Sequence, residues 1–129
     1  MKILICLYTL LFSSFLIGQN LTGAWSSSTD QIQSVWIMTA NHFSITQYKT
    51  DPAVFISTTG GSWTTTDDDV VLNWEFDTSS PEKVGTQTNV NFLQNDDNIQ
   101  WKNTLWRRID NGQPGALQGA WLITGRERE

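Results

Sequence analysis

The sequence predicts an all-β fold, an antiparallel up-and-down meander of about eight strands that closes into a barrel and follows a signal peptide. β-Branched and aromatic residues occur in short alternating runs separated by polar turn clusters, and no stretch has the i, i+3, i+4, i+7 spacing of an amphipathic helix. A sheet without helices must protect its edges by closing into a barrel or folding into a sandwich, and we favour the barrel.

The first three strands are predicted from alternation and turn residues. The first begins at Leu21 and carries Trp25, and serines follow it. Residues 35–39 and 42–49 alternate on either side of a tight turn at 40–41. This pattern is typical of a β-hairpin.

The next two strands are predicted over residues 54–66 and 70–77. Gly60 and Gly61 lie inside the first, and glycine within a strand usually marks a bulge or a sharp bend. The second alternates strictly, which predicts one inward and one outward face. The inward set is Val70, Leu72, Trp74 and Phe76, and the outward set is Asn73, Glu75 and Asp77.

The remaining strands follow two polar loops. Residues 83–94 are predicted as one strand after a Ser-Ser-Pro loop. Residues 99–110 complete the sheet as one bent strand or two short ones. All these segments belong to a single domain over residues 19–111.

The N-terminal segment has the pattern of a signal peptide. Lys2 precedes a largely apolar run over residues 3–17, and Gly18 follows it. We therefore expect cleavage after residue 18, a secreted or periplasmic protein, and no stable membrane insertion afterwards. The single cysteine, Cys6, lies in this segment, so the β domain is expected to fold without disulfides.

A short repeat predicts a second domain of the same kind. Four residues of the first strand recur 96 positions later at the same spacing. They are Leu21, Gly23, Ala24 and Trp25, matched by Leu117, Gly119, Ala120 and Trp121. We therefore interpret residues 112–129 as a linker and the first strand of a possible second, truncated repeat.

Charge and residue types exclude several functions. Thirteen acidic residues against eight basic ones make nucleic acid and anionic lipid surfaces poor partners. The one histidine, His42, lies beside a predicted turn, and no second histidine is present to build a typical metal site. Aspartates at 67–69 and 96–97 are interpreted as turn residues, and Glu75 with Asp77 as a solvated face. We expect no enzyme activity, no metal and no cofactor.

The first strand resembles the Gly-x-Trp signature of the lipocalins and related calycins. Gly23 and Trp25 carry this resemblance. It implies that Trp25 packs across the base of the barrel and that an arginine of the last strand covers its ring, for which Arg107 and Arg108 are the candidates. The chain has no C-terminal helix or disulfide pattern of the long lipocalins. It is more similar to short lipocalin-like domains of bacterial secreted proteins.

The chain has seven tryptophans, six of them in the small domain over residues 19–111, and this indicates either a binding cavity or an aromatic core. We predict binding of a small apolar ligand by inward side chains, which are Phe43, Ile45, Leu72, Trp74, Phe76, Val90 and Phe92. The alternatives are a filled core that serves as a structural or interaction module of a longer exported protein, or carbohydrate binding. Carbohydrate binding would use exposed rings among Trp36, Trp63, Trp101 and Trp106. The sequence does not decide the oligomeric state.

Overall fold

A computed structural model describes residues 20–67 and 69–113. The predicted signal peptide at 1–18 lies outside these residues, and so does the predicted repeat strand beginning at Leu117. Within the described part of the chain, no helix has the length and apolar character needed to cross a membrane.

The all-β class and the antiparallel meander are confirmed, with nine strands in one sheet. The strands are β1 Gly23–Thr29, β2 Ile32–Met38, β3 His42–Thr50, β4 Ala53–Thr66, β5 Asp69–Asp77, β6 Gln87–Val90, β7 Leu93–Gln94, β8 Asn98–Trp101 and β9 Thr104–Arg108. Their order across the sheet is β6-β5-β4-β3-β2-β1-β9-β8-β7.

The sheet curls into a half-barrel, and its two edges are β6 and β7. The first and last strands pair, with Trp25 opposite Arg108 and Ser26 opposite Arg107. The chain then crosses from one edge to the other through residues 91 and 92, and Phe92 is buried at 2 % exposure. The sheet is therefore joined at β1–β9 but not closed into the predicted full barrel, because β6 and β7 do not pair among the described residues.

The prediction of one strand over residues 83–94 is wrong, because this segment holds two short strands, β6 and β7, at opposite edges of the sheet. A short 3-10 turn occupies Pro81–Lys83, and strand structure resumes only at Gln87. The proline fixes its own φ angle, and Gly85 has a φ of +86°, which interrupts an extended backbone. Farther along, residues 99–110 contain two strands, since Lys102 adopts a left-handed φ of 53° in the turn between β8 and β9.

The core is aromatic and lies on the concave face of the sheet. Trp25 and Trp36 are fully buried. The Trp36 ring has centroid distances of 5.2 to 5.4 Å to the rings of Phe92, Trp101 and Trp106. This cluster connects β2 to β8 and β9 across the half-barrel.

A β-bulge between β4 and β5 changes which residues face inward. Gly61 pairs with Trp74 and Gly60 with Phe76, so Glu75 is the extra residue. An extra residue reverses the alternation beyond it. Phe76 is therefore 40 % exposed on the outer face, and Asp77 is buried on the concave face. This corrects the predicted facing of both residues.

Candidate functional site

A cavity of about 400 Å³ opens on the concave face of the half-barrel. Strands β3, β4 and β5 supply one part of its wall, and the β5–β6 connection, β6, β8 and β9 supply the rest. The curl of the sheet brings β8 and β9 opposite β5 and β6, which lie near the other end of the strand order. The lining residues are Ile45, Gln47, Ser57, Thr59, Trp74, Asp77, Ser79, Lys83, Thr86, Thr88, Trp101, Lys102 and Trp106.

Three indole rings form the apolar part of the lining. Trp74 packs edge-on against Phe43 at a centroid distance of 5.3 Å, and its Nε1 donates a hydrogen bond of 2.8 Å to Thr88 Oγ1. Trp101 and Trp106 both pack on the buried ring of Trp36. Each of the three indoles therefore packs on another aromatic ring, which fixes its position as a preorganised binding surface requires.

A row of hydrogen-bonded side chains on neighbouring strands contributes Gln47 and Ser57 to the polar part of the lining. Ser34, Gln47 and Ser57 are directly opposite one another on β2, β3 and β4. Gln47 donates to Ser34 Oγ over 3.3 Å, and Ser57 donates to Gln47 Oε1 over 3.2 Å. These cross-strand bonds orient the amide of Gln47 and leave further donor and acceptor capacity in the row.

Asp77 anchors the β5–β6 connection at the side of the cavity. Its Oδ1 accepts hydrogen bonds from the backbone N–H of Ser79 and Ser80 and from the Ser79 hydroxyl, and its Oδ2 accepts one from Thr59. The backbone bond from Ser80 is the main cause that lowers the pKa of Asp77 from 3.8 to about 2, while burial opposes the change. The carboxylate is thus ionised at neutral pH, and its hydrogen bonds to Ser79 and Ser80 hold the start of the β5–β6 connection.

Two lysines contribute positive charge to the lining. Lys83 Nζ lies 5.9 Å from the centroid of Trp74 and 3.9 Å from Asp77 Oδ2, and its side chain is 55 % exposed. Lys102 is exposed, and its Nζ lies 5.4 Å from the centroid of Trp101. Each ammonium group therefore stands near the face of a cavity tryptophan, in the range of a cation–π contact.

The structure divides the seven predicted ligand-binding residues into three groups. Ile45 and Trp74 line the cavity. Phe76 lies on the outer face because of the bulge. The other four are buried in the core, where they pack among themselves and with other core residues: Phe43, Leu72, Val90 and Phe92.

Sequence reasoning missed the polar half of the lining. Gln47, Thr59 and Lys83 are residue types that usually face solvent, and single-sequence alternation cannot tell a polar concave face from an exposed one. A sharper signal was available for Gln47, since it occupies the same face of β3 as Phe43 and Ile45 in strict alternation.

The four tryptophans considered for a flat sugar-binding surface do not form an exposed row. Trp36 and Trp106 are buried, whereas Trp63 and Trp101 are half-buried. Trp63 donates its Nε1–H to the carbonyl oxygen of Thr39 over 3.0 Å. Trp101 faces the cavity, so any stacking on tryptophan would take place inside the half-barrel.

The residues predicted for barrel closure meet at the β1–β9 pair. The Arg108 guanidinium lies 4.1 Å from the centroid of Trp25, and the indole Nε1 donates to the carbonyl oxygen of Leu21. Gly23 has a φ of +141°, and the guanidinium of Arg108 occupies the space that a side chain would need there. Arg107 points outward and is exposed.

The other side chains considered for chemistry are dispersed. His42 is half-buried at the start of β3, where its Nδ1 is 2.8 Å from Asn41 Oδ1. Glu75 and Asp77 do not share a face, because Glu75 is the bulge residue and is exposed. Over residues 20–67 and 69–113, no group of three or more potential ligand side chains could hold a metal ion.

Comparison of the chain with protein-family models, curated proteins and solved structures gave no match.

Proposed function

We propose that this domain is a non-catalytic binding protein that holds one small molecule in the concave cavity. The observation that supports it is a lining with two chemical parts: three indoles that pack on other aromatic rings, and polar side chains that include Gln47, Ser57 and Thr59. Cavities of about 300–1,000 Å³ with this mixture are typical of small-molecule sites. The size of about 400 Å³ falls in that range.

The ligand we propose combines an apolar body with polar groups. A wholly apolar molecule, as predicted from the sequence, would leave Gln47 and Ser57 desolvated without new partners, which costs free energy. A molecule with a ring face and a few acceptors would contact Trp101 and satisfy the amide and hydroxyl groups as well.

The absence of catalysis is also a proposal, and the chemistry of the lining supports it. Asp77 is the only carboxylate among the described lining residues, and its two oxygens already accept four hydrogen bonds. General acid–base work requires a carboxyl group that can exchange a proton near the operating pH. A pKa of about 2 does not suit Asp77 for that role.

We further propose a lipocalin-like relationship and export through the N-terminal segment. The meander topology and the stacking of Arg108 on Trp25 support the relationship, since the resemblance of Gly23 and Trp25 implies such a contact. The signal-peptide pattern over residues 1–18 supports export to the periplasm or the exterior.

Native mass spectrometry of the protein from its own source tests the binding function. We expect a co-purifying small molecule that leaves on denaturation. The variant Trp101→Ala, which removes one cavity wall, should carry less of it, whereas Leu105→Ala, on the outer face of β9, should carry as much as the wild type. Thermal unfolding of both variants shows whether each is folded.

A second candidate function is a structural or interaction module with a filled core. The aromatic cluster around Trp36 favours it, because four rings occupy the interior between β2 and β9. A bare mass in native spectra, with no uptake of a hydrophobic fluorescent probe, would support this function over ligand binding.

A further inference from the structure

We propose that the cavity selects organic anions with a flat ring, and that Lys83 and Lys102 bind the anionic group while Trp101 contacts the ring. This inference rests on the proposed binding function and specifies its ligand class. The charges and the ring contacts of the lining carry it.

The charge of the lining is opposite in sign to that of the chain. The protein has 13 acidic and 8 basic residues, which gives a formal net charge of −5. The described lining contains two lysines and one aspartate, and is therefore net positive. The acidic surface of the protein repels anions at long range. The positive lining of the cavity attracts them, so anion binding is favoured in the cavity over the rest of the surface.

Asp77 does not neutralise Lys83 through a hydrogen bond. The 3.9 Å between Lys83 Nζ and Asp77 Oδ2 is longer than an N–H···O hydrogen bond. The same carboxylate already accepts bonds from Thr59, Ser79 and Ser80. Lys83 is thus attracted to Asp77 by charge without a hydrogen bond to it. The three N–H donors of its ammonium group remain able to bond an anion at the cavity.

Lys102 is a second cation with donors available to a ligand. Among residues 20–67 and 69–113, no ion pair within 4.0 Å involves Lys102. The two lysines come from the β5–β6 connection and the β8–β9 turn, so they approach the cavity from different walls. An anion that reached both would be held from two directions.

The ring half of the ligand has a defined place. Trp101 packs on Trp36 and Phe92 at centroid distances of 5.4 and 5.6 Å, yet it is only half-buried and lines the cavity. Its supported ring therefore offers the cavity a rigid aromatic surface beside Lys102. Flat rings gain from such a surface by offset or edge-to-face stacking.

Calorimetric titration of the full chain with three probes tests the inference. The probes share the naphthalene ring system and differ in charge. They are 1-naphthoate, 1-naphthylmethanol and 1-naphthylmethylammonium. We expect 1-naphthoate to bind about fivefold to tenfold more tightly than the alcohol and the ammonium to bind more weakly than the alcohol. Indole N–H signals of Trp74 and Trp101 in ¹⁵N NMR spectra should shift on binding.

Charge variants separate this inference from a general ring-binding cavity. The double variant Lys83→Gln/Lys102→Gln should lower the affinity for 1-naphthoate by about fivefold relative to that for 1-naphthylmethanol. The control Lys49→Gln/Arg107→Gln, at two positions on β3 and β9 outside the cavity lining, removes the same two charges elsewhere and should leave both affinities unchanged. Chemical-shift spectra of each variant verify the fold.

Two results would overturn the inference in distinguishable ways. Equal affinities for the anion and the alcohol, with shifts of the cavity indoles, would reject anion selection and keep the binding function. Binding of no probe at millimolar concentration would reject both.

Discussion

Arg108 joins three parts of the chain that are distant in sequence. Its guanidinium stacks on Trp25, and its nitrogens donate to the carbonyl oxygens of Asn20, Thr22 and Asp96. It thereby ties the segment before β1 and the turn before β8 to the end of β9. A planar guanidinium suits this combination of stacking and several fixed donors, which an ammonium group cannot reproduce.

Replacing this arginine should destabilise the protein strongly. We expect Arg108→Ala to lower the free energy of unfolding by about 2–3 kcal/mol, because it removes a cation–π contact and charge-assisted hydrogen bonds. Urea denaturation monitored by tryptophan fluorescence measures the change. The neighbouring exposed Arg107→Ala should change it by about 0.5 kcal/mol or less. Equal effects of the two variants would contradict the role given to Arg108.

Asp77 should make stability depend on acidity in a defined range. Its folded-state pKa of about 2 lies below the ordinary value of 3.8 for an aspartate, so the stabilisation from its charged form is present above about pH 4 and is lost as the pH falls toward 2. The urea midpoint of Asp77→Asn should lie below that of the wild type by a constant amount at pH 5–7. Below about pH 4 this difference should shrink.

The exposed Asp51→Asn provides a control for the loss of one negative charge at the surface. Parallel midpoint curves for the wild type and Asp77→Asn from pH 2 to pH 7 would show that the Asp77 carboxylate does not stabilise the loop.

At the scale of elements, the β4–β5 bulge decides the chemistry of the cavity wall. Because Glu75 is the extra residue, Thr59 and Asp77 face inward together while Phe76 covers Gly60 from outside. A Cβ at Gly61 would collide with the backbone carbonyl oxygen of Asn73, so the two strands approach each other more closely than any other residue would allow.

A single methyl group at the bulge should therefore be costly. We expect Gly61→Ala to lower the free energy of unfolding by about 3 kcal/mol, since the clash is with backbone that cannot rotate away. Thermal or urea unfolding gives the value. Thr64→Ala, at an exposed position of the same strand, should lose less than about 1 kcal/mol. A small effect of Gly61→Ala would mean that the bulge relaxes easily.

For the whole molecule, the unpaired edges are the defining feature of the half-barrel. Strands β1 to β5 are paired on both sides, whereas β6 and β7 have one neighbour each and only four and two residues. Leu93 on β7 is 72 % exposed, the largest exposure among the large hydrophobic side chains of the described region. Edges of this kind are the least protected parts of a sheet.

Hydrogen exchange measured by NMR should reveal this arrangement. We expect the slowest backbone amides in β2, β3 and β4 and the fastest strand amides in β6 and β7, where alternate N–H groups have no strand partner. Protection of consecutive amides through both β6 and β7 would indicate that these strands pair and that the barrel closes in solution.

Local patterns of the sequence were sufficient for the strands and for part of the core. Alternation in β5 placed Val70, Leu72 and Trp74 inside, and the glycine pair in β4 indicated the bulge. These features depend on a two-residue period and on backbone sterics, which neighbouring residues determine by themselves. The prediction was wrong at Phe76 and Asp77 because the sequence did not show which strand carries the extra residue.

The sequence by itself therefore determined the all-β class, the meander and the residues able to pack in a core. Tertiary structure alone decided where the sheet ends, that Arg108 and not Arg107 covers Trp25, and that Lys83 and Lys102 line one cavity with three tryptophans. The physical reason is that these relations arise from the pairing of β1 with β9 and the curl of the sheet. Both bring together residues whose separation along the chain carries no local signal.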